Sequence, residues 1–185
     1  MIQTFSDNEI ARNGKVSVLV LQGKDQEAVA LLSHLAGAAR TNEDWIARHI
    51  VGMICVRSGR WEEAESVFKE GFERSPPLNK DYFRLGLASV RLRRGRYEEA
   101  SDLLSPVHPP KLMTSAKVLT LHAQCATQQQ GAAQETLRSL QGTLPGLCSQ
   151  LPNAIWNYFF HGNPANEEIL EQICQQEIHC QLAAA

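Results

Sequence analysis

Cys174, His179 and Cys180 fall within seven residues near the C-terminus, with His161 a short way upstream. Thiolates and imidazoles hold zinc when four of them converge as a tetrahedron. The spacing here follows no standard zinc pattern, and Cys174 also belongs to an apolar stripe, so the sequence predicts no metal site. No HExxH, GxSxG, glycine-rich phosphate loop or pair of carboxylates in an apolar setting occurs. The expectation is therefore a protein that is not an enzyme and carries no cofactor. The run RLRRGR, with Arg91, Arg93, Arg94 and Arg96, is the densest positive cluster. It could hold an acidic partner segment, but the simpler reading is a solvated helix end whose arginines favour the C-terminal dipole and pair with nearby glutamates.

The chain has 185 residues, 43% hydrophobic and 21% charged, with a formal net charge of −2. That balance suits a folded domain or a short repeat array, and it supplies no overall attraction to nucleic acid or anionic membrane. MIQTFSDNEIARNGK lacks the basic start and apolar core of a secretory signal, and no apolar run reaches the ~18 residues of a membrane span. Five scattered cysteines, an odd number without CxxC spacing, argue against a disulfide framework. The predicted location is cytoplasmic.

What would position any functional surface is a repeat. GRWEEAESVF begins at Gly59 and GRYEEASDLL at Gly95, 36 residues later, and the same step reaches Gly23 in one direction and Gly131 in the other. Four residues after these glycines stand Glu27, Glu63, Glu99 and Glu135. Five after stand Ala28, Ala64, Ala100 and Thr136, and nine after stand Leu32, Phe68, Leu104 and Leu140. A glycine that takes the left-handed conformation ends one helix, and a glutamate in the next first turn favours that helix's positive end. Apolar residues with helical spacing precede each glycine: Val16, Leu19 and Val20; Ile50, Val51, Ile54 and Cys55; Leu85, Leu87, Val90 and Leu92; Leu119, Ala123 and Ala126. Pro76, Pro77, Pro106, Pro109 and Pro110 punctuate the ends of second helices. Each unit therefore reads as a helix hairpin with its hinge at Gly23, Gly59, Gly95 or Gly131. A single hairpin cannot bury its apolar faces alone, so the units must stack.

Gly52, Gly59, Trp61, Ala64, Phe68 and Pro76 resemble the tetratricopeptide repeat, and the next unit keeps Ala88, Gly95, Tyr97, Ala100 and Leu104. The resemblance implies an all-α, right-handed solenoid of about four hairpins over residues 1–144, closed by capping helices over 145–185. It also implies that the first helix of each pair lines a concave face. In this chain that face would present Ile46, His49, Met53 and Arg57, then Tyr82, Leu85, Ser89 and Arg93. Family members that clamp acidic C-termini need lysines and asparagines there, and His49, Met53, Leu85 and Ser89 do not supply them. An apolar groove suits an amphipathic helix or an extended peptide.

In PGLCSQLPNAIWNYFFHGNP the cluster Trp156, Tyr158, Phe159, Phe160 and His161 predicts a short buried helix. Ile169, Leu170, Ile173, Cys174, Ile178 and Leu182 then mark one face of a final helix that caps the array, fills its groove or pairs with another copy. The function the resemblance implies is a protein- or peptide-binding module, such as a cytosolic adaptor or a chaperone of the type III secretion kind. The alternatives are a structural subunit that self-associates, as a homodimer, through its last helix, and an RNA-binding pentatricopeptide-like array. The short, mildly acidic chain disfavours RNA.

Overall fold

The computed structural model describes residues 15–16, 18–19, 22–36, 42–107, 110–144, 146–162 and 167–184. It is all-α, with no strand among these residues. The helices are α1 (Asp25–Ala36), α2 (Asn42–Arg57), α3 (Trp61–Arg74), α4 (Pro77–Arg93), α5 (Tyr97–Leu104), α6 (Pro110–Ala126) and α7 (Gln130–Leu140). A 3₁₀ turn (Gly146–Gln150), α8 (Leu151–Phe160) and α9 (Glu167–Ala184) follow.

The hinges have one geometry. Gly23, Gly59 and Gly95 have φ of 73°, 70° and 69°, the left-handed conformation in which a side chain is strained. Around each, the amide one residue later reaches back five residues: Lys24 donates to the Leu19 carbonyl, Arg60 to Cys55 and Arg96 to Arg91. This is the Schellman closure, which satisfies carbonyls that a helix end leaves open.

The fourth hinge departs from expectation. The same bond runs from the Gln129 amide to the Gln124 carbonyl, and the left-handed residue is Gln128 with φ 59°. Gly131 instead lies inside the first turn of α7. The last unit thus follows after 33 residues rather than 36, and its columns must be read from Gln128. The small residue five places on is then Ala133, fully buried like Ala28, Ala64 and Ala100, while Thr136 is only half-buried. Glu135, which completed the glutamate column, is exposed. The alanine column marks the true register because only a small residue fits where two helices touch.

Each helix from α1 to α7 packs on the next, and the first helices of successive hairpins, α2, α4 and α6, pack on one another. A close seam surrounds Phe68, which is fully buried. A Cβ placed on Gly52 of α2 or on Gly86 of α4 would collide with the Phe68 ring, and one on Gly71 would collide with Phe83. Burying such a ring is worth about 2–3 kcal/mol. Ion pairs tie the same layers at their edges: Arg48–Glu70 at 2.7 Å joins α2 to α3, and Arg91–Glu65 at 2.9 Å joins α4 to α3.

The RLRRGR run is consumed by such pairs. Arg91 also reaches Glu99, Arg94 reaches Glu62 and Glu65, and Arg96 pairs with Glu99. Hydrogen bonds from Arg91 and Lys69 hold the Glu65 carboxyl down at about 2.

The C-terminal segment shares a core with the fourth hairpin. Val118, Leu121 and Cys125 of α6 and Ala133 and Leu140 of α7 cluster with Leu151, Ile155 and Tyr158 of α8 and Ile173 of α9. The expected helix over the aromatic run is α8, with Tyr158 buried and His161 exposed beyond its end. Cys55, Cys125 and Cys174 are free, but Cys148 is disulfide-bonded. Spacing along a chain does not report which Cβ atoms a fold brings together.

We expect Gly52→Ala and Gly86→Ala each to destabilise the protein by about 1–3 kcal/mol, because overpacking against a buried ring outweighs the helix propensity of alanine. Gln128→Gly relieves the one left-handed non-glycine among the described residues and should stabilise by up to about 1 kcal/mol. Urea unfolding of the three variants measures both signs.

Candidate functional site

The structure does not assemble the groove that the resemblance implied. His49, Met53, Tyr82, Leu85 and Ser89 are all buried, in the seams between helices. Met53 packs with Phe68 and Phe83, and Tyr82 and Leu85 pack with Leu112, Ala116 and Leu119. The physical reason is the close approach of α2, α4 and α6, which turns the faces assigned to a partner toward one another. Ile46 is half-buried against Val16 and Ala28. Arg57 is paired with Asp25 of α1, its Nε 3.2 Å from Oδ2. Arg93 donates to Glu171 of α9 at 2.6 Å.

That last bond locates the region where groups do converge. α9 packs on α6, α8 and α2. Its buried face presents Ile173, Cys174 and Glu177, and Gln175 Nε2 donates to the Arg57 carbonyl at 3.4 Å. Helix α9 therefore touches the hairpin array at the C-terminal ends of first helices, beside the hinges. A cavity of about 270 Å³ remains there, lined by Trp61, Arg93, Tyr97 and His122 from the array and by Leu170 and Cys174 from α9. Arg93 lies over the Trp61 ring at 5.2 Å, where a cation is attracted to the ring face.

At the floor of this region His122 Nδ1 and Glu177 Oε1 are 2.7 Å apart, with side chains 1% and 5% exposed. The His122 ring also packs on Phe159 and Tyr97. The Cys174 thiol, ring nitrogen and carboxylate oxygen lie within 4.8 Å of one another. Burial, and then the charge of Glu177, push the Cys174 thiol up to about 12 against the pull of Arg93, so it is no nucleophile as it stands. Burial works against the Glu171 charge, but hydrogen bonds from Gln175 and Arg93 hold its carboxyl below the usual range.

Among the described side chains, Cys174 is the one of the sequence's metal candidates that takes part in this cluster. His161 is exposed at the end of α8, and the side chains of His179 and Cys180 lie outside the described ones. His122 and Glu177 went unnoticed in the sequence. The signal was there for Glu177: it follows Ile173 by four residues and Cys174 by three, so it stands as a lone acid within the apolar stripe.

Comparison of the chain with protein-family models, with curated proteins and with solved structures finds no match to any of them.

His49 has its own consequence. Its ring packs against Phe68, Tyr82 and Phe83, and neither nitrogen has a hydrogen-bond partner among the described residues. Full burial lowers its pKa to about 4, against ~6.5 in an unfolded chain. As pH falls, the unfolded chain takes up the proton first, so stability present above pH ~6.5 is lost progressively down to pH ~4 and not further. The contribution is about 3 kcal/mol. We expect His49→Leu to flatten the stability curve across that window, as followed by urea midpoints. A curve as steep as that of the parent chain would remove His49 from the account.

Proposed function

We propose that the chain is a tetratricopeptide-like helical-repeat module, a right-handed solenoid that binds a protein or peptide partner and performs no catalysis. The repeated Schellman hinges, the column of fully buried alanines and the Phe68 seat between two glycines support the repeat assignment.

The observation that carries the functional reading is the position of α9. It is a helix with one buried stripe and an acid, Glu171, bonded to Arg93 at the hinge edge of the array. This is the class of ligand expected for such a module, an amphipathic helix with an acidic flank, bound here in cis. A partner of the same chemistry would compete with α9 for Trp61, Arg93 and Tyr97 rather than enter a groove around Met53 and Leu85. Removing α9 uncovers apolar surface that a partner helix can cover.

The proposed role is a chaperone or adaptor, in which α9 shields the site until a partner displaces it. No helix among the described residues is long and apolar enough to cross a membrane. The cytosol is the proposed compartment, with the Cys148 disulfide as the feature that weighs against it.

The test compares the full chain with Arg93→Glu and with a chain ending at residue 164, each used to recover partners from the native host. We expect a specific protein enriched by the truncated chain and lost again when Arg93→Glu is added to it. If light scattering shows the full chain as a stable dimer that becomes monomeric on truncation, and no protein is enriched, the self-associating structural role replaces this reading.

A further inference from the structure

We propose that His122, Cys174 and Glu177 form a binding site for a divalent cation of the zinc class, with a fourth position open toward the cavity beside Arg93 and Tyr97. Five observations converge on it. The three side chains supply the three ligand chemistries that zinc accepts, imidazole nitrogen, thiolate sulfur and carboxylate oxygen. Their atoms already lie within 4.8 Å of one another, close to the spacing of ligands that share an ion through bonds of ~2.0–2.3 Å.

All three residues are buried, whereas acidic groups that cluster by chance do so on the surface. They also project from opposed elements: Cys174 and Glu177 are one turn apart on α9, and His122 comes from α6. Residues at i and i+3 on one helix, facing a ligand on a second, form the arrangement by which helical bundles hold metals between helices.

The neighbouring space completes the site. The cavity is lined by both His122 and Cys174, so an ion held by the trio can take a water or another small ligand as its fourth partner and can enter from outside. Phe159 and Tyr97 pack on the His122 ring and fix its plane. On binding, the 2.7 Å hydrogen bond between His122 Nδ1 and Glu177 Oε1 opens, the ring nitrogen that turns to the ion gives up its proton and the neutral ring keeps one on its other nitrogen, the Cys174 thiol gives its proton to solvent, and nitrogen, sulfur and carboxylate oxygen each bond the ion with no change in oxidation state. The trio then contributes two negative charges against the two positive charges of the ion.

The ion would join α9 to α6 and so hold the C-terminal helix on the array. That consequence rests on the reading of α9 as an occupant displaced by partners, but ion binding itself does not.

The experiment uses the full chain, purified under reducing conditions, stripped with chelator, and titrated with zinc and separately with cobalt(II) as a spectroscopic substitute. We expect one ion per chain, a raised thermal midpoint with zinc, and a thiolate-to-cobalt charge-transfer band. Cys174→Ser should abolish the band, while Cys55→Ser and Cys125→Ser keep it. His122→Gln and Glu177→Gln should each weaken zinc binding by about tenfold or more.

Circular dichroism establishes that each variant is folded. If Cys174→Ser fails to fold, Cys174→Ala, which keeps the buried position apolar, carries the same test of the band. A cobalt complex without a thiolate band, or a band that survives in Cys174→Ser, overturns the site. Recovery of a partner by the truncated chain is read separately, so either proposal can fail alone.

Discussion

The structure depends on a reversal made in very few residues. A first helix ends, one residue turns left-handed, and the following amide closes back on a carbonyl five residues earlier, four times among the described residues. Because the reversal is the same each time, the second helix always returns with the same face inward. That is why Ala28, Ala64, Ala100 and Ala133 are all fully buried: a side chain larger than methyl at that point would hold the two helices of a hairpin apart. Glycine makes the turn without strain at three hinges, and at the fourth the array imposes it on a glutamine.

Stacking follows from what the hairpins leave uncovered. The ring of Phe68 fills the space that Gly52 and Gly86 vacate, so one aromatic on a second helix joins the first helices of two successive units. Around this apolar seam the arginines form a polar frame. Arg48, Arg57, Arg91 and Arg94 each reach an acid on another helix, which spreads their charge over the seams instead of presenting it to a partner. The RLRRGR run thus pairs with nearby glutamates, as the simpler reading of the sequence has it.

The C-terminal helix obeys different rules. Its contacts with the array combine an apolar stripe with a buried acid, a buried thiol and a surface ion pair. Glu177 is accommodated at 4% exposure because His122 stands 2.7 Å away; a buried carboxylate without such a partner is strongly unfavourable. A contact built partly from polar groups can come apart more readily than a purely apolar one, since water can replace its bonds. The proposed exchange of α9 for a partner, and its retention by an ion, both draw on that property.

Periodicity in the sequence determined the class of the fold, three of the four hinges, the alanine column through Ala100 and the helical character of the C-terminal segment, because these depend on local geometry and on the spacing of small and large residues. It misplaced the fourth hinge: a glycine is the visible sign of a left-handed turn, and Gln128 adopts that turn without one. It also assigned His49, Met53, Tyr82, Leu85 and Ser89 to an open face, since helical spacing shows which residues share a face but not how closely the next helix lies. Only the tertiary structure decided that those faces meet in a core. Only it brought His122 within bonding distance of a glutamate 55 residues away, because a meeting of that kind is set by the path of the whole chain and leaves no periodic trace in the residues between.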